Sequence, residues 1–535
     1  MDATKKASEN ITQSSFAAMA GVLFSRASGV VRTIIVNASF GAATALDAFN
    51  AAFRLPNSLR DLFADGALSA AFMTALVAEK QKGLKSEQTL ISIVLGFFGV
   101  VTLLIAVIAM IFSEQIINLI TDSNFKITGA LSVSSDLFKF LIFYLPLTMV
   151  NAVIMAILGV HQKTFRAMNG SIFLSVGMIC GALLFAPLLK SFGILGIYGL
   201  AFGALLGAVL QMLYQMLPLF KLHLIPLPNL NPKVWLNYKP LRKILIQMTP
   251  RAIGQGAMVI ALSINTYFAT QIGTGFLTYI VTAVTIIQVP IGLFGVATGF
   301  AALPALLATL AKNDDTNFSR LLIEGLRTSF WLASFTTLCF ALLIFPFYVV
   351  LFQHGKITFF DSINNSIAIC AYSTGIILAS GNKILLNTLF ALDGTRQIVY
   401  NAFLYLIVNT LLNIYLVPRF GVVGIGISFG IATSMDFWIN YFSIKKYFHR
   451  KGYHGSPYHS GGKFFTYQTL LMNLATFVIC LVGVWLLQNV WSMVALTFWE
   501  ACIILVTAGS LISAIFVMVV YKFGPPHLKS IFKKY

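Results

Sequence analysis

The chain has 535 residues, of which 58% are hydrophobic and only 10% charged, with a mean hydropathy of +0.86. A soluble domain carries about 25% charged residues, so a soluble globular protein is excluded. The net charge of +19 would suit nucleic acid, but the cations fall in short stretches between apolar runs, where they set membrane orientation; no nucleic-acid partner is expected.

Apolar runs of about 20 residues recur from end to end, the pattern of an all-α polytopic membrane protein. Fourteen spans are expected, near 14–38, 45–78, 89–113, 133–160, 168–189, 194–219, 242–271, 276–311, 319–351, 362–391, 397–417, 422–444, 465–488 and 492–521. The polar start, MDATKKASENITQSS, has no signal-peptide cleavage pattern. With that end inside, the outer loops hold only Lys126, Lys190, Lys356 and Arg419, against 24 Lys and Arg in the inner loops and termini. This bias predicts an even number of spans with both termini in the cytoplasm.

The second span is the least hydropathic and the most patterned. Asp47, Asn50, Arg54, Asn57, Asp61 and Asp65 recur every three to four residues, one polar stripe on a helix. Phe53, Leu55, Leu59 and Leu62 are expected opposite, with a kink at Pro56. A charge at the bilayer centre costs about 2.5–3.5 kcal/mol on the mildest scale, so the stripe must face a bundle interior or a wet cavity.

Further along, 220–241 is Pro-rich and basic, with Trp235 and Tyr238 as interfacial anchors. It divides an N-terminal lobe (1–219) from a C-terminal lobe (242–444), each of six spans. The basic, Gly-rich loop 445–463 precedes a final helix pair and tail (464–535). The words FGILGIYGLAFG (192–203) and FGVVGIGISFG (420–430) end the two six-span blocks and suggest a repeat, with a binding site at its interface. The five cysteines lie in apolar runs without ligand-like spacing and read as packing residues.

No P-loop, HExxH or GxSxG word occurs, which leaves little room for an enzyme or for direct ATP use. Within the spans lie Arg26, Arg32, Arg54, Arg60, Lys139, Arg251, Arg327 and Lys383, four of them in the first two helices. Arg is the planar, permanently charged, bidentate partner of phosphate. The cluster therefore suits an anionic substrate, unless pairs such as Arg26–Asp47 or Arg54–Asp61 merely neutralise each other.

The words SRASGVVR, FGAATALDAFNAAFRLPNSLRDLFADGALSAAF and LFQHGKITFFD resemble the MurJ (MviN) family of lipid II flippases, within the multidrug/oligosaccharidyl-lipid/polysaccharide exporter superfamily. QMTPRAIGQG, SINTYFA and VPIGLFGVATGFAALPALLA extend the similarity over most of the chain. The resemblance implies two six-helix lobes around a central cavity plus a C-terminal helix pair that forms a groove for a polyprenyl tail. It implies an undecaprenyl-diphosphate-linked substrate, contact with membrane lipids and other cell-wall synthesis proteins, and a bacterial inner-membrane location. By the same resemblance Arg26 and Arg32 match cavity arginines, Asp47 the acid of a DAF word, and Asn57 and Arg60 a PNxLR word, with Arg60 a diphosphate ligand. Asp65 stands where Glu is usual.

The chain departs from the family at Thr33, where an acid is common, at Asp61, where a second Arg is common, and at Thr285, where the eighth span usually carries Arg. Arg251 is the candidate replacement for that last cation. The expected mechanism is alternating access without a cofactor, driven by membrane potential or a coupled monovalent cation. Asn409, Asn413 and Asp436 offer oxygens for such a cation. A flippase for another undecaprenyl-linked glycan would share the arginines, whereas an ion-coupled drug antiporter would prefer an acidic cavity.

Overall fold

In the computed structural model the described residues are 21, 24–62, 68–224, 227–312, 314–452, 457, 458 and 462–524. They are helical without strands. Among them, 11 helices are long and apolar enough to cross a membrane, or up to 12 if one bent pair counts as a single span. That is compatible with about fourteen spans, because the start of the first and the middle of the second lie outside the described residues. Asp65 and Gly66 are among those not described.

The chain forms two compact units, Met1–Thr278 and Tyr279–Tyr535. The first opens with α1 (24–40), α2 (Thr44–Leu62) and α3 (Leu68–Lys80), then the long α4 (Leu84–Ile111). Short helices α5 (Ser113–Ile120) and α6 (Ser123–Ile127) fill a stretch expected to be loop. The fourth expected span is two helices, α7 (Ala130–Leu141) and α8 (Tyr144–Val160); the fifth follows α9 (Thr164–Asn169) as α10 (Ile172–Cys180), a π-helical turn and α11 (Ala186–Ser191). α12 (Ile197–Lys221), the small α13 (Pro232–Asn237) and α14 (Lys239–Ile272) complete the unit. α14 packs on α2 and α3, so the seventh span belongs to the first compact unit although it follows the 220–241 connector.

The second unit contains most of α15 (Phe276–Pro290), a π-helical stretch (Ile291–Val296) and α16 (Ala297–Ala311). Pro290 has no N–H to donate, which favours the register slip that follows it. α17 (Asp315–Phe352) is the central post, with α16, α18 (Phe359–Ser373), α19 (Ile376–Ala391), α22 (Gly462–Asn489) and α23 (Phe498–Phe523) all packed on it. α18 and α19 meet at a 47° bend. α20 (Thr395–Phe420) and α21 (Val422–Arg450) form a tight antiparallel pair. Glu500 caps α23 in a capping box with Thr497.

The two Gly-rich words have one structural use. Each has its first glycine, just after the opening Phe, at positive φ, Gly193 (76°) and Gly421 (56°), and continues as a helix lying against a neighbouring backbone. A Cβ on Gly203 would stand 2.4 Å from the Gly177 carbonyl, and one on Gly426 2.7 Å from the Ala371 carbonyl carbon. Such contacts admit only glycine.

Candidate functional site

The polar stripe of α2 divides along its length. At its N-terminal end Asp47 is 3% exposed. Its carboxylate accepts from Gly275 N at 2.5 Å, Thr278 N at 2.9 Å and Thr278 Oγ1 at 2.6 Å, while Asn50 Nδ2 donates to Thr278 Oγ1 at 3.0 Å. Asp47 thus ties α2 to the first turn of α15 instead of neutralising Arg26. Beside it a cleft of about 80 Å³ is lined by Thr44, Asn124, Thr128, Thr270 and Thr274 among others. Thr278 is the last residue of the first unit; the next residue, Tyr279, donates its hydroxyl to Asp361 Oδ1 at 2.6 Å within the second.

The C-terminal end of the stripe is more open. Arg54, Asn57 and Arg60 are half-buried and Asp61 is exposed. Arg60 forms an ion pair with Asp61. The buried face of α2 is not the expected Phe53, Leu55, Leu59 and Leu62, all half-exposed, but Leu46, Ala48, Phe49, Ala51, Ala52, Pro56 and Ser58. Small side chains let α7 approach closely, and that contact decides which face is packed. Pro56 is inside a continuous α2.

On α1, Ser25 and Ser28 hydrogen-bond Ser171 and Ser175, fixing the helix on α10. Arg26 is exposed and Arg32 half-buried. Arg32 lies within electrostatic reach of both Arg60 and Tyr144. Tyr144 in turn packs edge-on to Phe53 of α2, with centroids 5.2 Å apart. Two helices therefore bring like charges into one neighbourhood, where the Asp61 carboxylate already offsets part of the repulsion at Arg60. Thr33 turns its hydroxyl to the Gly29 carbonyl (2.8 Å) and contributes no charge.

Arg251 is half-buried on α14, behind Pro250, in the same compact unit as Arg32 and Arg60. Thr285, in the second unit, donates to the Val281 carbonyl of its own helix at 2.8 Å.

The second unit holds a buried amide network that spacing alone did not reveal. Asn382 Nδ2 donates to Asp436 Oδ2 at 2.6 Å and Asn440 Nδ2 to Asp436 Oδ1 at 3.0 Å. Asn440 also donates to Asn382 Oδ1 (2.9 Å) and accepts from Asn401 (2.6 Å), which accepts from Gln397 (2.9 Å). Lys383 lies within electrostatic reach of Asp436. Asn409 and Asn413, both fully buried, bond to each other at 3.3 Å. Of the three residues considered as one cation site, Asp436 is held by Asn382 and Asn440, and Asn409 and Asn413 bond to each other. The signal available in the sequence was the set of amides Asn382, Asn401 and Asn440 inside apolar helices. Among the described residues no group of three His, Cys, Asp or Glu side chains is arranged to hold a metal.

Comparison with known proteins adds a separate line of support. The model of the family "Lipid II flippase MurJ" matches residues 36–506. A probable lipid II flippase MurJ of Buchnera aphidicola (subsp. Acyrthosiphon pisum) is 30% identical over 80% of this chain and 82% of its own. The lipid II flippase MurJ of Burkholderia cenocepacia is 28% identical over 79% and 82%. A solved lipid II flippase MurJ in an inward closed conformation shares the fold, with a TM-score of 0.67 and 20% identity over 89% of this chain and 98% of that one. With a family model covering most of its length, this membrane-spanning chain belongs to the lipid II flippase MurJ family.

Proposed function

We propose that the chain carries lipid II, the lipid-linked peptidoglycan precursor, from the inner to the outer leaflet of the bacterial cytoplasmic membrane. It acts as a transporter, not an enzyme, with both termini cytoplasmic. The observation that supports the site is the electrostatic proximity of Arg32 to Arg60 and Tyr144, with Tyr144 held edge-on to Phe53 of α2, on membrane helices of the first unit. A diphosphate supplies two or more negative charges and several acceptor oxygens, which relieve the repulsion between the guanidiniums and use their forked donors. Arg54, Asn57 and Arg26 extend this polar face, and Arg251 adds a cation from α14. Asp61 competes for Arg60 and must release it when the diphosphate arrives.

In the transport cycle the arginines hold the diphosphate while the head group crosses, and the polyprenyl tail stays in lipid. Alternating access then exposes the head group outside. Asp47 latches the first turn of α15 and must let go, or carry that turn with it, when the outer side opens. Membrane potential or a monovalent cation supplies the drive. The missing cation at Thr285 favours a second reading, a related undecaprenyl-diphosphate-linked glycan with a different head group.

The test is complementation. The chain is expressed in bacteria depleted of their own lipid II flippase, and lipid II reaching the outer leaflet is measured for wild type, Arg60→Ala and Arg60→Lys. Export that is lost in Arg60→Ala and only partly kept by Lys supports substrate and site together. A well-inserted wild type that exports no lipid II overturns the lipid II assignment in favour of another lipid-linked glycan.

A further inference from the structure

The 220–241 connector is not a loose link. Its extended part lies along α4: Gln88 Nε2 donates to the His223 carbonyl (2.7 Å), Ser92 Oγ to the Leu227 carbonyl (2.5 Å), and Asn229 N to the Ser92 carbonyl (2.9 Å). Residues 88, 92 and 96 make one face of α4, and at Gly96 the Asn229 carbonyl occupies the space a Cβ would need. Trp235 Nε1 donates to that same Asn229 carbonyl at 2.7 Å, and the Trp235 ring stands edge-on to Phe97. Val234, Trp235 and Tyr238 pack into the core of the first unit. One side of the connector is therefore fixed.

The other side faces outward and is amphipathic. Leu227, Leu230 and Leu236 are 71%, 63% and 85% exposed. Lys233, Lys239, Arg242 and Lys243 are exposed beside them, and Lys239, Arg242 and Lys243 share one face of the first turn of α14. No acidic residue occurs in the sequence from Leu137 to Asn313. Two packed carboxylates lie on this side: Glu79, which acts electrostatically on Tyr238 and is already held by Lys82 at 2.6 Å and by Ser86, and Glu87, beside Gln88, which is held by His161 Nε2 at 2.7 Å. The segment joins the ends of two spans, α12 and α14, so it sits at the membrane–water boundary, on the side that the charge bias assigns to the cytoplasm. Leucines at that level reach the acyl boundary while the cations meet headgroups.

We propose that this face is a binding site for anionic phospholipid headgroups of the cytoplasmic leaflet, with Lys233, Lys239, Arg242 and Lys243 as the phosphate contacts and Leu227, Leu230 and Leu236 as the apolar anchor. The fixed backbone makes it a preformed site, so binding orders little that was free. The site is separate from the arginines of α1 and α2 and does not depend on which lipid is transported.

The test uses the full chain, delipidated in neutral detergent, with retained phosphatidylglycerol and phosphatidylcholine counted by native mass spectrometry. Wild type should retain phosphatidylglycerol in preference. The Lys233→Gln/Lys239→Gln/Arg242→Gln/Lys243→Gln variant should lose about fivefold in affinity per cation removed. Replacing the three lysines by Arg should restore binding, and Lys445→Gln/Lys446→Gln/Arg450→Gln/Lys451→Gln, in the other basic loop, should leave it intact. Equal retention of the two lipids, or full phosphatidylglycerol binding by the connector Gln variant, overturns the proposal. So does displacement by undecaprenyl diphosphate at much lower concentration, which would make the face an antechamber for the transported lipid, or by soluble polyglutamate, which would assign it to an acidic protein.

Discussion

Replacing Gly96 by Ala should unseat the connector. A Cβ at this position would stand 1.8 Å from the Asn229 carbonyl oxygen and 2.6 Å from its carbon. Ordinary carbon contacts begin near 3.5 Å, so the connector must retreat by about 1.7 Å, and the offending atoms are backbone and cannot rotate aside. Three hydrogen bonds depend on that seat: Asn229 N to Ser92 O, Ser92 Oγ to Leu227 O, and Trp235 Nε1 to Asn229 O. At ~0.5–1.5 kcal/mol each, their loss raises the population of undocked connector by roughly 10- to 1,000-fold. Trypsin cleavage at Lys233 in the detergent-solubilised chain follows that population when reclosing is fast, and it should accelerate accordingly, with a shift in Trp235 fluorescence. The sign is diagnostic. Judged as a helix residue alone, Ala is better than Gly by about 1 kcal/mol, so an undocked connector would make the substitution neutral or stabilising. Unchanged cleavage with a raised Tm would refute the docking argument.

Other substitutions test the rest. Asp47→Asn keeps the shape but sets an amide N–H among three donors; it should lower stability by ~1.5–3 kcal/mol, read as a lower Tm, and impair export. Asp61→Asn should free Arg60 and tighten binding of an undecaprenyl diphosphate severalfold, measured by titration; weaker binding would mean that Asp61 positions Arg60 instead of competing for it. Arg251→Ala should impair export as severely as Arg60→Ala, and full activity of that variant would remove Arg251 from the site. Asn440→Leu strips partners from Asp436, Asn382 and Asn401 at once and should cost ~3–5 kcal/mol, seen as a large drop in Tm with the first unit's tryptic pattern unchanged.

Composition and span length determined the membrane class and the all-helical fold, because a bilayer permits few alternatives: every backbone group must be satisfied within a helix; the polar second helix was legible from its periodicity instead. The motif words around Arg32, Asp47 and Arg60 were enough to point to the family. The fate of each polar residue in the stripe was not legible. Asp47 and Asp61 have the same chemistry and the same helical spacing, yet one is buried against Gly275 and Thr278 and the other lies exposed beside Arg60. Spacing fixes which residues share a face of a helix; it says nothing about which neighbour, distant in sequence, comes to lie there. The same reason explains why Asp436 bonds to Asn382 and Asn440. It explains why α14 packs with the helices before the connector, and why the connector itself is seated on Gly96 of α4. Those contacts depend on close approach between backbones, and only the packed tertiary structure decides where small residues allow it.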